Sequence, residues 1–198
     1  MWIVAATGES LTPEIADQCR GHDVIAVNDA YRLFPFAKAL YAADADWWTL
    51  HKGCPDFRGE KWSTIGDDVV NKVAAQYKLK LIRSIKGYGL GFSFAPRLIH
   101  RCGNSGFQAV NLALGHYQAK TVVMVGFDMK GNHFFGDHPP MPCRWPKKNN
   151  FPGWITHFNR AAELLPPHIR IINATEGSAL KCFPMMPLKE ALDAGRTA

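Results

Sequence analysis

Apolar residues gather into short runs along this chain, separated by turn-like or helix-like segments. Residues 2–6 (Trp-Ile-Val-Ala-Ala) are apolar throughout and end at Thr7-Gly8. Similar runs occupy 23–27, 38–43, 121–126 and 168–173. They close on Asn28-Asp29, Asp44, Asp128 and Ala174-Thr175 respectively. Runs without polar alternation predict strands buried on both faces, as in a parallel sheet. Between them lie helical patterns. One starts at Pro13, capped by Ser10 or Thr12, and stops at Gly21; another opens near Trp47. The clearest follows Asn104 or Ser105 as cap, with Phe107, Val110, Leu112, Ala113 and Leu114 spaced for a largely buried helix. Trp154–Leu165 and Leu188–Leu192 complete the set. Residues 53–100 yield only a strand at 80–83 and a glycine-rich loop, Gly87-Tyr88-Gly89-Leu90-Gly91. Residues 131–153 read as a long loop of the kind that serves active sites. The alternation predicts an α/β protein: a single-domain, Rossmann-like open, mostly parallel sheet with helices on both faces, spanning 1–198.

Composition narrows the class. The 198 residues are 47% hydrophobic and 20% charged, as in an ordinary globular domain. No apolar run approaches the ~18 residues of a membrane span, and the N-terminus lacks the basic region of a signal peptide. The five cysteines are odd in number and widely spaced, with no CxxC pair. That pattern argues against a disulfide framework or zinc knuckle and for a reducing, cytoplasmic setting. The net charge of +6 favours an anionic partner, a nucleotide or a nucleic acid. The densest basic groups, Lys78/Lys80/Arg83/Lys86 and Arg144/Lys147/Lys148, read as solvated surface as readily as a binding patch.

The chemistry should sit where the strands end. In an open parallel sheet the carboxyl ends of the strands share one edge, and ligands bind there. Thr7, Gly8, Asn28, Asp44, Gly126, Asp128, Asn173 and Thr175 all fall at such ends. Gly8 allows backbone N–H groups to approach a phosphate, and Asn28 and Asp44 suit a ribose or base. Neither Gly-x-Gly-x-x-Gly nor Gly-x-x-x-x-Gly-Lys-Ser/Thr is present, which argues against an ordinary dehydrogenase or a P-loop ATPase. His133, His138 and His157 lie in or near the long loop. Their spacing matches no defensible metal-ligand pair, and the expectation is no metal site. A histidine general base is the better reading.

Three blocks together resemble the bacterial sialyltransferases of glycosyltransferase family 42 and the related 6-hydroxymethylpterin diphosphokinase-like group. They are Ile3–Leu11, with Glu9 where that family carries proline; Asn104-Ser105-Gly106 with its helix and the strand ending Gly126-Phe127-Asp128-Met129; and Ile171–Leu180. The blocks span most of the chain in the correct order. The resemblance implies a Rossmann-like fold without the glycine fingerprint and a nucleotide contacted by Thr7, Gly8, Asn28, Asp44, Ser105, Gly126 and Asp128. It also suits a small phage or prophage member. Where those sialyltransferases carry tyrosines after the Gly-x-Asp strand, this chain has Met129, Lys130, Asn132 and His133. The first reading is therefore a transferase using a nucleotide-activated donor such as a nucleotide sugar. His138 or His157 would deprotonate the acceptor and Lys130 would steady the leaving phosphate. Two alternatives stand beside it. One is an ATP- and magnesium-dependent diphosphokinase, with Asp44 and Asp128 toward the metal. The other is a non-catalytic accessory protein that binds nucleotide or nucleic acid. A homo-oligomer fits any of them.

Overall fold

The computed structural model describes residues 1–65, 68–137 and 149–196. Eight strands form one sheet in the order β6-β5-β4-β3-β2-β1-β7-β8. They are β1 (Trp2–Ala5), β2 (Val24–Val27), β3 (Ala39–Tyr41), β4 (Glu60–Thr64), β5 (Lys80–Lys86), β6 (Leu98–Arg101), β7 (Thr121–Val125) and β8 (Arg170–Asn173). Every pairing is parallel, so the fold is the expected α/β sheet without a single antiparallel neighbour. The chain winds outward from β1 to β6, then returns across the sheet to place β7 on the other flank of β1. The order therefore reverses between β1 and β7, and ligand crevices open at such a reversal.

Among the described residues six α-helices cover the sheet: α1 (Pro13–Gln18), α2 (Ala45–Leu50), α3 (Asp68–Tyr77), α4 (Ser105–Gly115), α5 (Phe151–Glu163) and α6 (Leu188–Arg196). The period-two geometry of a strand splits the core between both faces. Trp2 and Val4 of β1 join a cluster with Phe107, Val110 and Phe158 of α4 and α5. Ile3 and Ala5 join the opposite cluster with Ala16, Trp48 and Leu192 of α1, α2 and α6. Helices thus lie on both faces, as expected.

Local signals placed most boundaries. Thr12 caps α1, its Oγ1 accepting from Ile15 N at 3.3 Å, with Pro13 in the first turn. Ser10, the other candidate cap, is engaged elsewhere. Asn104 caps α4, accepting from Phe107 N at 2.8 Å. The helix opening near Trp47 begins two residues earlier, at Ala45. Asn150 caps α5 through Gly153 N at 3.2 Å, so 151–153 belong to that helix and the loop after β7 ends sooner than expected. The last strand starts at Arg170 rather than His168.

The main correction lies in 53–100. There β4, α3 and β6 form, and β5 extends to Lys86. Their sequences are polar because this flank of the sheet is only partly covered: Glu60 and Lys61 of β4 are only half-buried, β5 buries only Ile82, and β6, the edge strand, buries only Ile99. None of them shows the apolar run of a central strand.

Helix α4 positions the site. It crosses from β6 to pack on β1, β2 and β7, and every residue from Gly106 to Gly115 is buried. Its polar side chains are satisfied internally, as burial requires. Gln108 accepts from the Tyr41 hydroxyl at 2.7 Å. Asn111 accepts from Ser93 N at 3.1 Å and His100 N at 2.8 Å, and donates to Ser93 O at 2.6 Å. Asn111 thereby fixes the loop that leads into β6.

A second polar cluster closes the opposite end of the sheet. Glu60 accepts from Tyr117 Oη at 2.6 Å and Trp62 Nε1 at 2.9 Å and pairs with Lys80. Burial works against its ionisation, but the hydrogen bonds from Lys80, Tyr117 and Trp62 outweigh burial and hold the carboxyl down to about 2. A carboxyl depressed in the folded state stabilises above its unfolded value, here 4.5, and the benefit fades as pH falls through about 2. Glu60→Gln should therefore cost about 1 kcal/mol near neutral pH, the scale of a partly exposed charged network. Urea titrations should show the gap closing between pH 4.5 and 2; a constant gap would contradict this account.

Candidate functional site

A trough of about 680 Å³ lies along the carboxyl edge of the sheet. It draws residues from the end of every strand from β7 across to β6: Gly126 and Asp128 after β7, Thr7 and Gly8 after β1, Asn28 after β2, Asp44 after β3, Thr64 of β4, Lys86 of β5 and Arg101 of β6. The start of α4, Gly103 to Gly106, forms another wall, and Trp47, Tyr88, Phe151 and Trp154 supply aromatic surface. All seven expected nucleotide contacts, Thr7, Gly8, Asn28, Asp44, Ser105, Gly126 and Asp128, line this one space, as does Lys130.

The turn after β1 is locked to the end of β7. The Asp128 carboxylate accepts from Ser10 N at 3.1 Å and from Ser10 Oγ at 2.8 Å. Gly8 N donates to Gly126 O at 2.9 Å. A Cβ on Gly8 would stand 1.8 Å from Asp128 Oδ2 and 2.7 Å from Gly126 O. Glycine at position 8 is therefore demanded by the carboxylate beside it. Gly126 takes a left-handed φ of 71°, and Asn28 takes φ 48°. Asparagine tolerates that region better than most non-glycine residues.

The first part of the long loop docks on the same turn. His133 bridges Gly8 in antiparallel fashion, and Phe134 N donates to Thr7 O at 3.0 Å. The His133 Nδ1 and Thr7 Oγ1 atoms are 2.9 Å apart. Glu9 accepts from Asn132 N at 2.8 Å, which gives that residue a structural task where the resembling family has proline. The His133 ring stacks on Phe135 at 5.0 Å, with Arg32 over the far ring at 5.5 Å. Arg32 in turn pairs with the buried Asp29 at 2.8 Å, and Asp29 accepts from Trp47 Nε1 at 2.8 Å. One polar thread thus fixes both the loop and an aromatic wall of the trough. Burial lowers the pKa of His51 beside it, with Asp29 pulling the other way.

Of the other expected catalytic groups, His157 lies on α5 with its ring 5.0 Å from Tyr88. Tyr88 lines the trough and His157 does not. His138 lies outside the described residues, as do Cys143, Arg144, Lys147 and Lys148. Asn173 and Thr175 do not line the trough. Thr175 Oγ1 accepts from Phe127 N at 2.9 Å and Asn173 donates to Leu180 O at 2.9 Å, so the third sequence block buttresses the exit of β7. Cys19, Cys54, Cys102 and Cys182 are free thiols. Burial pushes Cys19 up to about 12 and the other three to about 11.

Sequence reasoning missed Trp47, Thr64, Lys86, Arg101 and Trp154 as lining residues. Lys86 and Arg101 end strands whose polar sequence hid them. The strand read at 80–83 runs on to Lys86, and that extension together with recognition of β6 would have placed both at the binding edge. The buried Tyr41 phenol behind them is raised well above its ordinary pKa, chiefly by burial and then by Asp44, with Arg101 acting in the opposite sense. Among the described residues, no three His, Cys, Asp or Glu side chains converge as a metal-holding group. No helix among them is long and apolar enough to cross a membrane.

The fold is similar to that of the MAf glycosyltransferase from Magnetospirillum magneticum AMB-1, with a TM-score of 0.59 at 11% identity. The alignment covers 99% of this chain and 37% of that one, so this chain spans little more than a third of its length. At that identity the likeness is one of fold. No family model matches the sequence and no curated protein matches it significantly, so the resemblance to sialyltransferases and diphosphokinases rests on the motifs.

The contact between Gly8 and Asp128 can be tested by itself. Gly8→Ala should cost about 3 kcal/mol by overpacking. Asp128→Ala in the same chain should recover part of that loss, because the two changes share one contact. Urea denaturation of the three variants measures it; a Gly8→Ala protein within 0.5 kcal/mol of wild type, the tolerance of an ordinary surface change, would show that the carboxylate is not seated there.

Proposed function

We propose that this protein is a glycosyltransferase-like transferase that uses a nucleotide-activated donor, held in the trough at the carboxyl edge of the sheet. The observation that carries this reading is the convergence of seven strand-end and helix-start residues on one cavity at the β1/β7 reversal. The shared fold with a solved glycosyltransferase supports it. In this reading Asn28 and Asp44 hold the ribose or base. Ser105 and Gly106 at the start of α4 present backbone N–H groups to the phosphate, Gly8 N being taken by Gly126 O, and Trp47 offers a stacking face. Asp128 acts from behind by holding the turn through Ser10.

The transfer follows from what lines the trough. An acceptor hydroxyl attacks the anomeric carbon of the donor, and the bond from that carbon to the phosphate oxygen breaks. The phosphate leaves with the bonding pair, and Lys130 offsets its charge. His133 takes the acceptor proton. It lies in the trough, oriented by Thr7 and Phe135, and so replaces His157 as the base. The magnesium-dependent diphosphokinase reading has less support: among the described residues two carboxylates, Asp44 and Asp128, face the trough, and Asp128 has both oxygens on Ser10. No step is assigned to a metal.

A panel of CMP, UDP, GDP, ATP and a pterin should yield at least one nucleotide that stabilises the protein. At a hundred times its Kd the gain is about 2.7 kcal/mol, or roughly 5–10 °C in Tm for a chain of this size. Absence of a shift with every nucleotide would sink the donor reading, and a shift with the pterin and ATP alone would favour the diphosphokinase. Once turnover is measured, His133→Asn should lower kcat by roughly 10²–10⁴ and leave the nucleotide-induced shift in place. Unchanged kcat would remove His133 from the chemistry.

A further inference from the structure

The donor reading leaves two cations of the trough unused. Lys86 is the last residue of β5 and Arg101 the last of β6, and the two are register partners on adjacent parallel strands. Their backbones therefore run roughly 4.8 Å apart, and both residues line the trough. Neither makes an ion pair or a side-chain hydrogen bond among the described residues, and Arg101 Nε is shielded from solvent without a partner. Like charges side by side repel, and a buried N–H left without an acceptor costs free energy. An anion between the two side chains would offset that repulsion; Arg101 Nε, closed to water, is equally closed to an anion's oxygen, so the contact falls to the rest of the guanidinium. Arginine offers a planar fork to phosphoryl oxygens and lysine a point charge, a common division of labour at phosphate sites.

The position within the trough decides what that anion belongs to. Arg101 is five residues from Gly106, so their Cα atoms are at most about 18 Å apart. Gly106 packs against Phe127 at the end of β7: a Cβ there would lie 2.9 Å from Cε1 of that ring. The cation pair is therefore tethered near the donor turn but stands on a different wall, across the ends of β2, β3 and β4.

We propose that Lys86 and Arg101 form a second phosphoryl subsite, distinct from the turn at Gly8. It takes either the β-phosphate of a nucleoside diphosphate donor or a phosphate carried by the acceptor. The assignment to donor or acceptor rests on the donor reading above; the subsite itself rests on the cation pair.

Calorimetric titration of wild type, Lys86→Gln, Arg101→Gln and Arg101→Lys at fixed ionic strength tests the proposal, after unfolding midpoints show that each variant folds. The probes are pyrophosphate alone, matched nucleoside mono- and diphosphates, and a sugar phosphate added to protein saturated with monophosphate. Wild type should bind pyrophosphate. Each glutamine variant should lose tenfold or more, and Arg101→Lys should fall between. Loss of a diphosphate-over-monophosphate preference places the group on the donor. Loss of sugar-phosphate binding with monophosphate affinity unchanged places it on the acceptor. Pyrophosphate binding that disappears in the variants, in a protein that binds no nucleotide, would retain the subsite and retire the donor reading. Undiminished affinity of both glutamine variants for every phosphate, or no pyrophosphate binding by wild type, overturns the proposal.

Discussion

The carboxylate of Asp128 sits where the Cβ of residue 8 would be, and much of the site depends on that exclusion. It brings the ends of β1 and β7 together, with Gly8 N on Gly126 O and Ser10 closing over both carboxylate oxygens. Three hydrogen bonds thereby hold the turn after β1 against the end of β7. His133 and Phe134 pair with that turn, so the loop after β7 inherits its position from the same contact. The third sequence block adds a further brace, since Thr175 and Ser178 bond to the backbone of Phe127 from the opposite side. A residue that reads as a ligand contact in the sequence thus serves first as the keystone of the fold around the ligand space.

The second constraint is α4. A helix buried along nearly its whole length must satisfy its polar side chains internally, and Gln108 and Asn111 do so by reaching Tyr41 and the Ser93–His100 loop. Those bonds tie the outer strands to the centre. They carry the end of β6, and Arg101 with it, toward the wall that the first turn of α4 completes. The trough is continuous because one helix spans both halves of the sheet.

Charge is distributed unevenly in that space. Asp128 is held by Ser10, whereas Lys86 and Arg101 make no ion pair among the described residues. The overall basic charge of the chain is weak information, because most of it is scattered over the surface. Its informative part is the pair of cations that parallel register places side by side at the carboxyl edge.

The sequence by itself determined the central layer. Short apolar runs bounded by turn residues match strands covered on both faces, and these runs located β1, β2, β3, β7 and β8 with their strand-end residues. Thr12-Pro13 and Asn104 announced their helices because caps are local chemistry. The strand β4, the edge strand β6 and the helix α3 left no such trace, since their sequences carry no apolar run and they are held by neighbours distant in sequence. For the same reason Lys86 and Arg101 could not be read as a pair: fifteen positions separate them, and only the register of β5 on β6 makes them adjacent. That His133 lines the trough and His157 does not likewise belongs to the tertiary structure, because the antiparallel bridge to Gly8 brings His133 there.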